Sequence, residues 1–240
     1  MPPYAIDICN GLKLHGAAGS GFALSIPQFR VRAGEVCVVA GRSGCGKTTL
    51  LDILGCISPL TRCDAFSLCI RGREVDMAAA TERRRARVRR LHMGYVLQQA
   101  ALLPFLTAWE NIMLPLRLAG RLEHAGQARQ LACSLGLEGQ LHKRPAALSV
   151  GQRQRVDIVR ALAGNPAYLL ADEPTGALDP LTAERVCSEL VRAVKALGST
   201  LVLVTHDLQL FGGVGERFFG FELSKLEGGV VSTLREQEPS

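Results

Sequence analysis

Residues 41–48, Gly41-Arg42-Ser43-Gly44-Cys45-Gly46-Lys47-Thr48, satisfy the pattern G-x-x-x-x-G-K-[ST]. This stretch restricts the fold more than any other in the chain. The pattern works between the end of a β-strand and the N-terminus of a helix. There, backbone N–H groups converge on phosphate oxygens and the helix dipole favours their charge. The flanks meet that demand. Val36-Cys37-Val38-Val39-Ala40 is a short apolar run rich in β-branched residues, read as a buried strand. Thr49 to Leu54 is helix-like. The glycines let the backbone form a concave nest. Lys47 is placed to reach β- and γ-phosphates, and the Thr48 hydroxyl to ligate Mg²⁺. Residues 41–49 are therefore expected to bind a nucleoside triphosphate.

A second apolar run, Tyr168-Leu169-Leu170-Ala171, ends in the adjacent acids Asp172 and Glu173. Ligands of parallel α/β sheets bind beyond the carboxyl ends of strands. Asp172 is accordingly expected at Mg²⁺ and Glu173 at an attacking water. One such acid alone would read as a helix cap.

The 240 residues suffice for one sizeable domain, and 48% hydrophobic content suffices for its core. No apolar stretch approaches the ~20 residues of a membrane span. The first residues lack the basic start and apolar core of a secretory signal, so a cytosolic location is expected unless a partner recruits the chain to a membrane. The eight cysteines are scattered without a C-x-x-C pair, so no zinc or disulfide framework is indicated. Cys45 stands apart. Beside Lys47 at a helix N-terminus its thiol pKa can be lowered, so it reads as a packing residue with some reactivity. The net charge of +6 draws on Arg83, Arg84, Arg85, Arg87, Arg89 and Arg90. Without interleaved aromatics for base stacking, this run reads as a solvated helix face, with attraction to lipid headgroups second.

Strands are expected at 22–29, 35–40, as a pair around Arg71-Gly72, at 93–97, 167–172 and 200–205. Helices are expected at 82–91 and 181–197. Residues 100–164 carry helical spacing broken at Pro104, Pro115, Gly120, Gly136 and Pro145. The unit 167–205 is a strand–helix–strand crossover, and the tail from Arg235 is expected to fray.

Leu148-Ser149-Val150-Gly151-Gln152-Arg153-Gln154-Arg155-Val156 resembles the signature motif of ATP-binding cassette (ABC) ATPases, written L-S-G-G-Q. Other matches follow in that family's order. Gln98 resembles its Q-loop glutamine, Gly176-Ala177-Leu178-Asp179 its D-loop and His206 its switch histidine. The resemblance spans essentially all 240 residues. It implies an α/β fold: a P-loop, RecA-like core with an antiparallel β-subdomain (1–97 and 166–240) and an inserted α-helical subdomain (98–165). It implies a Mg²⁺-dependent ATPase in which two cassettes, identical or different, sandwich two ATP molecules. Glu173, His206 and Gln98 would be catalytic. Thr48, Gln98 and Asp172 would serve the metal. Ser149, Gly151, Gln152 and Asp179 would reach the nucleotide or interface of the opposite protomer. His15, with Phe22 as the alternative, stands where the family stacks an aromatic on adenine.

Leu102-Leu103-Pro104-Phe105-Leu106-Thr107-Ala108-Trp109 is similar to cassettes of the lipoprotein-release and macrolide-export type. In that group the segment borders a groove for a permease helix, although here it could equally be core. The partner implied is a separate transmembrane permease, and the location is the cytoplasmic face of the inner or plasma membrane. No nucleic-acid partner is expected. A cell-division cassette acting without transport and a soluble non-transport cassette are the alternatives. The chain departs from the family at Val150, where the motif has glycine, and at Asp157 and Val159, where small residues are common.

Overall fold

The computed structural model describes residues 2–15, 21–226 and 229–238. The chain opens with β1 (Ile6–His15) and β2 (Gly21–Val31), then enters β3 (Val36–Ala40), the phosphate loop and helix α1 (Lys47–Leu54). A hairpin follows, β4 (Ala65–Ile70) and β5 (Arg73–Asp76), and α2 (Glu82–His92) leads into β6 (Met93–Val96). Helices α3 (Ala108–Ala119), α4 (Ala125–Ser134) and α5 (Val150–Leu162) come next. Then follow β7 (Tyr168–Asp172), α6 (Pro180–Leu197), β8 (Thr200–Thr205) and the single-turn α7 (Gln209–Gly212). A final hairpin, β9 (Arg217–Leu226) and β10 (Gly229–Gln237), closes the fold.

The strands form one sheet in the order β5-β4-β1-β2-β10-β9-β3-β8-β7-β6. The run β9-β3-β8-β7-β6 is parallel throughout. The run β5-β4-β1-β2 is antiparallel. Strand β10 joins the two, parallel to β2 and antiparallel to β9. This is the expected α/β architecture, a parallel core continuous with an antiparallel wing. Alternate residues of β3 explain its unbroken apolar run. Val36 and Val38 face a core shared with α3–α6, while Cys37 and Val39 face a core shared with α1, β1 and β2. A strand buried on both faces has no polar side to display.

The helices start where their caps dictate. Thr107 and Glu110 form a reciprocal capping box on α3, and Ser149 and Gln152 form one on α5. Asp179 caps α6, with Pro180 at the first helical position, and Gly198 ends it in the left-handed region.

Two expectations are corrected. Pro115 does not break the chain but lies inside α3. It forfeits a bond to the Asn111 carbonyl, yet Ile112, Met113 and Leu116 around it are buried, and their packing carries the helix through. The first residues of the tail expected to fray, Arg235 to Gln237, are paired in β10. Arg235, Glu236 and Gln237 pair with Gly220, Phe219 and Phe218.

Gly94, on β6, is a close-approach glycine. A Cβ there would stand 2.2 Å from the backbone oxygen of Ala161 on α5. Backbone cannot yield as a side chain can, so Gly94→Ala must push helix and strand apart. The expected cost is about 1–3 kcal/mol, read as a lower denaturant midpoint. An unchanged midpoint would show that the contact is slack.

Candidate active site

The phosphate loop leaves β3 and is shaped by two glycines that no other residue replaces without strain. Gly44 and Gly46 sit at φ 79° and 107°. Helix α1 starts at Lys47 with no side-chain cap, so its first N–H groups face the loop as anion donors. The loop is braced from beneath. Ser232 of β10, fully buried, donates from its hydroxyl to the Cys45 carbonyl at 2.6 Å. Ser232 went unnoticed in the sequence because β10 carries no motif, and only its pairing beside β2 brings it to the loop.

Lys47, 7% exposed, donates to the Gly41 carbonyl at 2.7 Å and pairs with Glu173 Oε1 at 3.1 Å. The Thr48 hydroxyl donates to Asp172 Oδ2 at 3.1 Å. The two neighbouring acids thus point to different partners. Strand β7 ends at Asp172, and Glu173 turns into the left-handed region at φ 44°. That conformation is costly for a non-glycine residue and is found where a site demands it. The second Glu173 oxygen, Oε2, lies 2.9 Å from His206 Nδ1 and accepts a long bond, 3.4 Å, from Gln98 Nε2. Side chains from the phosphate loop and from the ends of β6 and β8 therefore converge on the one carboxylate that follows β7. Burial pushes the Asp172 carboxyl above its usual range. The Thr48 hydroxyl opposes this, and the Glu173 charge adds to it.

The cleft above these groups measures about 330 Å³. Ser43, Thr49, Gln98, Asp172 and Glu173 line it, and His15 and Phe22 stand at its edge. His15 and Phe22 are cross-strand partners in the β1–β2 pair, with ring centroids 6.3 Å apart and planes tilted by 45°. The two candidates for base stacking thus form one platform beside the loop. Arg42 extends its side chain to solvent and serves through its carbonyl, which accepts from Cys45 N at 3.3 Å.

Ser149, Gly151, Gln152 and Asp179 do not line this cleft. Ser149 and Gln152 satisfy each other in the capping box, with the hydroxyl accepting from Gln152 N at 3.2 Å. A Cβ on Gly151 would meet Thr182 at 3.2 Å, so the starts of α5 and α6 are neighbours on a second surface. Val150 is 45% exposed there.

Cys45 is the packing residue its sequence position suggests, but its thiol is not activated by Lys47. It is 2% exposed, and burial raises its pKa more than Lys47 lowers it. A maleimide is therefore expected to modify the exposed Cys133 well before Cys45, and raising the pH to speed the slow reaction. Peptide mapping along a labelling time course reads the order, and early labelling of Cys45 would contradict its burial.

A strand–loop–helix phosphate nest with an acid pair at the end of β7, one strand removed from β3, defines a nucleotide-binding protein of the phosphate-loop class. Residues 24–176 match the family profile described as ABC transporter, and the chain belongs to that family. An uncharacterized ABC transporter ATP-binding protein of Thermotoga maritima is 46% identical over 190 residues, covering 78% of this chain and 79% of that one. The lipoprotein-releasing system ATP-binding protein LolD of a Ruegeria species is 43% identical, covering 82% and 86%. The macrolide export ATP-binding/permease protein MacB of Pasteurella multocida is 40% identical over 82% of this chain, a match spanning 29% of that longer protein. Among solved structures, the ATP-binding cassette MJ0796 in its dimeric, post-hydrolysis state with ADP and Pi superposes with a TM-score of 0.74. It shares 31% identity over 98% of this chain and 99% of that one.

Proposed function

We propose that this chain is the Mg²⁺-dependent ATPase subunit of a membrane transport system of the lipoprotein-release or export type. It acts as a cassette dimer on a separate permease at the cytoplasmic face of the membrane. The convergence of Lys47, Gln98 and His206 on the Glu173 carboxylate, beside the Asp172–Thr48 pair, carries this reading. Phosphoryl transfer needs positioning and charge neutralisation more than covalent chemistry. Loop N–H groups and Lys47 bind the β- and γ-phosphates. Glu173 orients a water for in-line attack and takes its proton as the O–P bond forms and the bond to the ADP leaving oxygen breaks. His206 and Gln98 fix that carboxylate and face the γ-phosphate. His15 and Phe22 support the base.

The donor chemistry suits a small hard cation. Thr48 and Asp172 offer oxygen donors already in contact, with Gln98 across the cleft. Among the described residues no group of three or more His, Cys, Asp or Glu is gathered into a metal cage. Mg²⁺ commonly takes one or two protein oxygens together with substrate phosphates. When bound it would neutralise charge building on the phosphates.

Residues 98–165 hold α3, α4 and α5 and no strand, consistent with a helical subdomain set on the core. Phe105, at the entry to α3, is 66% exposed, while Leu102 and Trp109 pack partly into the core. That combination supports both readings of the segment: a wall of the helical lobe and a seat for a permease helix. The dimeric cassette neighbour and the LolD and MacB relatives support the two partners. Among the described residues no helix is long and apolar enough to cross a membrane. Phosphate release from ATP is expected to require Mg²⁺ and to stop with a chelator. Turnover that persists without divalent cation would remove the role given to Asp172 and Thr48.

A further inference from the structure

The loop that carries Gln98 is fastened to one helix at successive points. Leu97, immediately before Gln98, donates its N–H to Asp157 Oδ2 at 3.1 Å. The Leu97 carbonyl accepts from Gln154 Nε2 at 3.3 Å. The Ala101 carbonyl accepts from Arg160 at 2.7 Å. Gln154, Asp157 and Arg160 recur at three-residue spacing, so they share one face of α5. Gln154 is 3% exposed and Asp157 fully buried. Arg160 also pairs with the other Asp157 oxygen. Beyond the loop, the buried Asn111 carboxamide holds Leu103 by both its N–H and its carbonyl.

A buried carboxylate is an expensive way to pack a helix against a strand. Its desolvation is costly and must be offset by good partners. Gly94 already lets α5 approach β6 closely, and a small apolar residue would complete that packing without burying a charge. What a small residue cannot do is accept the Leu97 N–H. We propose that Asp157 is a positioning residue. It locks the backbone at Leu97 to α5, the helix capped by Ser149, and so sets where the Gln98 carboxamide stands relative to Glu173. This rests on the role given to Gln98 above. The long Gln98–Glu173 contact, 3.4 Å, is one that a small backbone shift makes or breaks. Ångström-scale misplacement of a group near reacting atoms lowers rate steeply while leaving binding nearly intact.

The test compares wild type, Asp157→Ala, Asp157→Asn, Gln98→Ala and the double variant Gln98→Ala/Asp157→Ala. It uses Mg-ATP turnover and amide hydrogen exchange at Leu97. Asp157→Ala is expected to lower kcat about tenfold with KM for ATP unchanged, and to speed exchange at Leu97. Asp157→Asn keeps a carbonyl acceptor and should restore slow exchange and most of kcat. The double variant should turn over no more slowly than Gln98→Ala, because the group being positioned is gone. Unchanged exchange at Leu97 in Asp157→Ala, or additive losses in the double variant, would overturn the proposal. Should Asp157→Ala fail to fold, Asp157→Asn decides: fast exchange at Leu97 or a kcat as low as that of Gln98→Ala overturns it. Wild-type turnover by Gln98→Ala would instead sink the role of Gln98, a result separable from the exchange at Leu97.

Discussion

Glu173→Gln will bind ATP about as well as the wild-type protein and hydrolyse it about 10²–10⁴-fold more slowly, the range expected when a positioned base is removed. The amide is nearly isosteric, so the left-handed turn after β7 and the contacts to Gln98 and His206 can persist. What changes is basicity and the ion pair with Lys47, 3.1 Å away. Lys47 stays anchored by the Gly41 carbonyl at 2.7 Å, which leaves phosphate binding in place. Phosphate release under saturating ATP, beside equilibrium nucleotide binding, separates the two effects. Hydrolysis at the wild-type rate would show that Glu173 is not the base, and loss of binding would show that its charge holds the loop together.

Ser149→Arg is expected to abolish turnover without weakening ATP binding to a single chain. Ser149 is exposed at the start of α5 and lies outside the cleft formed by its own chain. Its effect on hydrolysis must then come through another protomer, where a bulky cation would obstruct the approach of two helix N-termini. Loss of the cap costs about 1 kcal/mol, so a thermal melt must accompany the assay. Wild-type specific activity should fall on dilution, since each site needs a second chain. Activity retained by Ser149→Arg, or specific activity constant on dilution in a monomeric species, would remove the shared site.

The parts of this fold most legible in the sequence were those where chemistry and periodicity coincide. The phosphate loop, the apolar strands β3, β7 and β8, and the acid pair after β7 each carry a local requirement that few other folds impose. The ordered motifs added Gln98 and His206, which the structure brings to Glu173, and Ser149 and Asp179, which it places as the caps of α5 and α6. Strands β1, β9 and β10 were not legible. On β9, Phe218 and Phe219 pack into opposite cores, so its apolar residues run together rather than alternate, and charged residues interrupt β1 and β10, as at Asp7, Lys13, Arg235 and Glu236. β9 and β10 are also placed by long-range pairing, since β10 docks on β2 and β9 on β3. Ser232 beneath the loop and Asp157 beneath Leu97 were hidden for the same reason. Asp157 was visible only as a departure from a small residue, and its partner lies 60 positions away. The packing role of Cys45 was legible, but not the direction of its thiol pKa, because its neighbour Lys47 is apparent in sequence whereas the extent of its burial is not.

The central claim is that two copies of a cassette close around nucleotide to complete the hydrolytic site. The most direct measurement is the solution mass of Glu173→Gln by light scattering, with and without Mg-ATP, at one protein concentration. A mass near the 25.8 kDa of one chain is expected without nucleotide, and twice that value with Mg-ATP. Reversion to one chain should follow when ADP replaces ATP. A mass that stays at one chain under saturating Mg-ATP, in a variant shown to have bound it, would contradict the account.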